Sequence, residues 1–152
     1  MKYAALKKII VEISCAIFVL LFVYTAISKL LEHSRFTDQL NFIVQHPPLA
    51  LFLSYLVPVA ELITALLLSF HKHRLIGLYG FISLLIFFTF WIIYLLLSDR
   101  SLPCTCGGVI SSLTWKQHVV FNTCFIIAGI AAIIMHTTNL TYNEQELNIK
   151  SF

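Results

Sequence analysis

The chain has 152 residues, 59% of them hydrophobic and 11% charged. Soluble domains average about 25% charged residues, and the apolar residues here fall in long runs, so the composition excludes a water-soluble globule and indicates membrane spans. The formal charge of +3 is spread along the chain, which excludes nucleic acid as a partner and leaves the Lys and Arg positions to speak for orientation.

A short basic start, Met1 to Lys8, carries Lys2, Lys7 and Lys8. The apolar run Ile9–Leu31 follows, long enough for one crossing at about 20 residues per span. A cleaved leader has an apolar core of only about 7–15 residues and a small-residue cleavage site. Neither fits, so an uncleaved first helix is expected. Residues 32–48 read as a polar connection with Glu32, His33, Arg35 and Asp38, ending in His46-Pro47-Pro48. The prolines stop a helix from running through and open the next one at its first turn.

Leu49–Phe70 is the second expected span, with Pro58 as a bend and Glu61 near the middle. His71-Lys72-His73-Arg74 permits only a tight reversal, so spans two and three are antiparallel neighbours. Leu75–Leu97 is the third span, with Trp91 and Tyr94 toward its far end. Residues 98–118 form the second polar loop, Val119–Met135 the fourth span, and 136–152 a polar tail. The fold expected is all-α: a polytopic membrane protein, one domain over 1–152, folded as an antiparallel bundle of four transmembrane helices.

Four crossings put both termini and the 71–74 turn on one side. That side carries Lys2, Lys7, Lys8, Lys72, Arg74 and Lys150, against Lys29, Arg35, Arg100 and Lys116 on the other. The bias favours cytoplasmic termini. Both longer loops then face outward, and a bacterial inner membrane is the expected setting.

The chemistry concentrates in Pro103-Cys104-Thr105-Cys106-Gly107-Gly108. Two thiols separated by one residue close a small, strained disulfide, and such bonds exchange readily. Gly107 and Gly108 leave the sulfurs uncovered. Arg100 and His118 are close enough in sequence to favour a thiolate, and an outward location supplies an oxidising compartment. The motif also fits a static disulfide or a Cu(I) site, although no Met or His cluster stands by to complete the latter.

Four accessory candidates remain besides Arg100. Cys124 lies two turns into the fourth span and fits either a resolving thiol or a small helix filler. Glu61 is costly in a bilayer and reads as a proton relay, a quinone contact or a protonated bridge between helices. By helical rise its nearest polar neighbour is Ser83, an incomplete partner. Lys29 is expected to snorkel to the surface, and His118 sits in the outer loop. Cys15 receives no role, and Asn122 and Thr123 are expected to hydrogen-bond between helices.

Four patches then occur in order: Tyr24-Thr25-Ala26-Ile27-Ser28-Lys29-Leu30, Pro58-Val59-Ala60-Glu61-Leu62, Arg74-Leu75-Ile76-Gly77-Leu78 and Cys104-Thr105-Cys106-Gly107-Gly108. Over Ile9 to Met135 the chain resembles the MauE/DoxX group of small four-helix membrane proteins, on the MauE, methylamine-utilisation side. The resemblance implies a redox-associated protein. Its MauE side is linked to maturation of a disulfide-rich exported subunit, its DoxX side to quinone-coupled oxidation. Cys104 and Cys106 would be the redox pair, with Glu61 and Lys29 as family positions.

The function expected is thiol–disulfide exchange with an exported or periplasmic thiol protein, thioredoxin-like in one version, with quinone at the far end of the chain. This would make the protein a thiol–disulfide oxidoreductase. A non-enzymatic membrane scaffold and a small metal-handling or transport protein are the alternatives.

Overall fold

A computed structural model describes residues 2–97 and 114–150, in five helices. They are α1 Lys2–Leu31, α2 His33–Val44, α3 Pro47–Ser69, α4 Arg74–Leu97 and α5 Trp115–Lys150. Among the described residues there is no strand. Four segments are long and apolar enough to cross a membrane: Leu6–Leu31, Pro47–Ser69, Arg74–Tyr94 and Lys116–Thr138. The protein is an all-α, multi-pass membrane protein. Its outer surface carries large apolar side chains such as Leu20, Phe52, Phe90 and Val120, as lipid contact requires.

Most of the connection expected over 32–48 is a helix instead, α2. In α2, Phe36, Leu40 and Ile43 fall on one face, at i, i+4 and i+7, and line the interior. Ser34, Arg35, Asp38 and Asn41 are exposed on the other. That spacing is the amphipathic helical pattern, in a segment whose charges and closing prolines suggest a loop. The chain scarcely breaks between α1 and α2, since Glu32 N–H donates to Ser28 C=O and Phe36 N–H to Glu32 C=O.

The stop after α2 is sharper. Gln45 adopts the left-handed region at φ 53° and its N–H donates to Asn41 C=O. His46 is extended, the conformation imposed on a residue before proline. Pro47 and Pro48 then open α3, where their missing N–H groups cost nothing. The helix continues through Pro58 to Ser69. α5 begins at Trp115, inside the segment expected to be the second loop, and helix replaces the expected polar tail as far as Lys150.

Buried positions trace one seam per helix. On α1 they include Val11, Cys15, Phe18, Phe22, Ala26 and Lys29. On α3 they include Ala50, Ser54, Pro58, Glu61, Ala65 and Leu68. Steps of three and four keep each set on one side of a helix. The two seams face each other across the most extensive helix contact. Phe18 stacks on Phe81 of α4 with centroids 4.2 Å apart, and Phe22 lies 4.7 Å from the same ring.

Small residues bring the other helices close. A methyl at Gly77 would lie 2.7 Å from the Leu68 backbone nitrogen, so α4 meets α3 backbone to backbone. This is the usual role of small residues in membrane bundles.

Candidate functional site

Lys29 and Glu61 occupy facing positions on the α1 and α3 seams. Helical side chains lean toward their own N-terminus. α1 and α3 are antiparallel, so Lys29 leans from its end of the bundle toward the middle and Glu61 leans back to meet it. The Lys29 ammonium donates to Glu61 Oε1 at 2.6 Å. Lys29 is 7% exposed and Glu61 1%.

The expected snorkelling of Lys29 is therefore overturned. It would require the stem to lean toward Leu31, against the helix geometry, and would leave the carboxylate alone in hydrocarbon. The partner of Glu61 is Lys29, not Ser83. Rise along single helices cannot reveal this, because it ignores the reach of a four-carbon stem.

Further groups complete the surroundings. The Lys29 ammonium stands 5.4 Å from the centre of the Phe88 ring, a favourable cation–π position. The Thr25 hydroxyl, also at the cavity, donates to Phe22 C=O at 3.2 Å. Glu61 Oε2 makes no hydrogen bond although it is buried.

The pair borders a cavity of about 170 Å³. α1 contributes Phe22, Thr25 and Lys29, and α2 contributes Phe36, Leu40 and Ile43. Val57 and Glu61 come from α3, Phe88 and Trp91 from α4, and His118, Phe121 and Asn122 from α5. At the joint between α2 and α3, His33 Nε2 lies 3.0 Å from Ser54 Oγ, and its ring is 4.3 Å from that of Tyr55.

His118 belongs to the first turns of α5, not to a loop. It is 3% exposed and turns into the cavity. Lys29, Glu61 and His118, predicted separately, thus share one chamber. Cys124 does not join them; it is exposed on α5. Cys15 packs in the apolar core. Asn122 is buried against the cavity, whereas Thr123 donates to Val119 C=O of its own helix. Cys104, Cys106 and Arg100 lie outside the described residues. Among the described residues no group of three His, Cys, Asp or Glu side chains converges to hold a metal ion.

Helices crossing a bilayer four times, with an ion pair and an aromatic-walled chamber inside, define a multi-pass membrane protein with a polar intramembrane site. The family model described as methylamine utilisation protein MauE matches residues 7–135, and the chain belongs to that family. No curated protein and no solved structure matches the chain significantly.

Proposed function

We propose that the protein is a bacterial inner-membrane redox partner in a MauE-like maturation role, acting on exported thiol proteins through Cys104 and Cys106. Family membership supports the maturation role. The observation that carries the rest is the chamber beneath the ends of α4 and α5. The segment with both cysteines joins these helices, and Trp91, His118 and Asn122 from them line the chamber.

In the reaction proposed, a Cys104–Cys106 disulfide accepts two electrons and two protons from a pair of thiols on the exported protein. The substrate leaves with a disulfide and Cys104 and Cys106 become a dithiol. Two electrons and two protons then pass to a membrane quinone, giving quinol and restoring the disulfide. A small strained ring suits this role, because it surrenders its oxidised state readily. The quinone end draws on the DoxX side of the resemblance and on the chamber itself.

Trapping tests this reading. In cells quenched with acid and alkylated, Cys104→Ser or Cys106→Ser should accumulate a mixed disulfide between the remaining thiol and an exported protein. If neither variant traps a partner and substrate disulfides still form when both cysteines are replaced, the exchange reading is wrong.

A further inference from the structure

We propose that the chamber beside Lys29 and Glu61 is the binding site of a quinone headgroup. The site's charge, walls and size lead to the same class of ligand. The ion pair is neutral as a unit, so an anion would face Glu61 and a cation would face Lys29. A neutral ligand with polar atoms meets neither penalty.

Of the three N–H groups on the Lys29 ammonium, one is used on Glu61. The others suit a ring carbonyl, which only accepts. Glu61 Oε2 is buried and makes no hydrogen bond, so it suits a ring hydroxyl, which donates. Quinone and quinol present these two groups in turn at the same ring position. Leaving a buried carboxylate oxygen unmatched is costly, and quinol removes that cost.

The walls fit a flat ring, with Phe88 and Trp91 on α4 and Phe36 on α2 at the chamber. A cavity of about 150 Å³ holds benzene, and this one is about 170 Å³. One six-membered ring fits. The proposal takes from the functional reading only the quinone's part as electron acceptor, and occupancy of the chamber does not depend on the cysteines.

The test uses the purified full chain with Trp115→Phe, which leaves Trp91 as the single tryptophan. Ubiquinone-1 is titrated while Trp91 fluorescence is followed, because a ring in the chamber would quench it. Saturable quenching is expected. Because Lys29→Met alone strands a carboxylate, the variant used is Lys29→Met with Glu61→Leu, accompanied by Val57→Phe to fill the chamber. Both should bind at least tenfold more weakly while keeping the parent's helical circular dichroism and monodisperse elution.

Quenching that rises linearly without saturation overturns the site, as does an affinity within twofold of the parent in both folded variants. The same titration with Cys104→Ser and Cys106→Ser separates the two ideas. Binding unchanged there, alongside failed trapping in cells, keeps the site and removes the exchange reading. Trapping that succeeds without saturable binding does the reverse.

Discussion

Lys29 and Glu61 stand 32 positions apart in the chain and 2.6 Å apart in the bundle. They join α1 to α3 inside the apolar interior. Removing one partner of a buried pair leaves a stranded charge, which costs about 3–5 kcal/mol, whereas replacing both by apolar side chains is often neutral. Lys29→Met and Glu61→Leu should each destabilise the protein by that amount. The double variant should recover most of the loss, as measured by denaturant unfolding in micelles. Additive losses would mean that the two side chains do not act as a pair.

The close approach of α3 and α4 depends on Gly77. A Cβ there meets the Leu68 backbone at 2.7 Å, and backbone cannot move aside as a side chain can. Gly77→Ala should cost about 1–3 kcal/mol, the range for overpacking. At Gly80 the nearest atom is the Thr64 hydroxyl at 3.4 Å, so Gly80→Ala should be close to neutral. Thermal unfolding of the two variants side by side checks the contrast.

Gln45 holds the left-handed conformation that ends α2. A side chain there costs about 1–2 kcal/mol relative to glycine. Gln45→Gly should leave stability unchanged or raise it by up to about 1 kcal/mol, since glycine also gains freedom in the unfolded chain. Gln45→Val should lower it, because a β-branched residue tolerates positive φ poorly. Unfolding midpoints at constant slope report both effects.

Cys124 is exposed on a membrane-spanning segment while Cys15 is 3% exposed in the core. In a Cys104→Ser, Cys106→Ser background, a nitroxide reagent should label Cys124 well ahead of Cys15. The attached label should relax with dissolved oxygen and not with a water-soluble nickel complex. Equal labelling of Cys15 would place it outside the core.

Much of this architecture can be read in the residues, for a definite reason. Runs such as Leu75–Leu97 have no stable state outside lipid, so length and apolarity fix the crossings. α2 is harder to read because charges dominate its segment, although Phe36, Leu40 and Ile43 mark one helical face. Pairing between helices is harder to read. Cys15, Phe18, Phe22 and Ala26 recur at steps of three and four, and Lys29 continues the series. That continuation was the available signal that its stem turns inward. Its contact with Glu61 still depends on how α1 and α3 face each other, which no local pattern states. His118 lines the same chamber because it lies in the first turn of α5, which begins at Trp115.

The central claim is that Cys104 and Cys106 alternate between dithiol and disulfide on the outer side of the membrane. Its most direct measurement is the mass of the protein from intact cells treated with a membrane-impermeant maleimide, before and after a brief reductant pulse. The account predicts a disulfide in growing cells, with no tag on the pair, and two added tags after reduction. Two thiols free at all times, or tagged only once the membrane is broken, would contradict it.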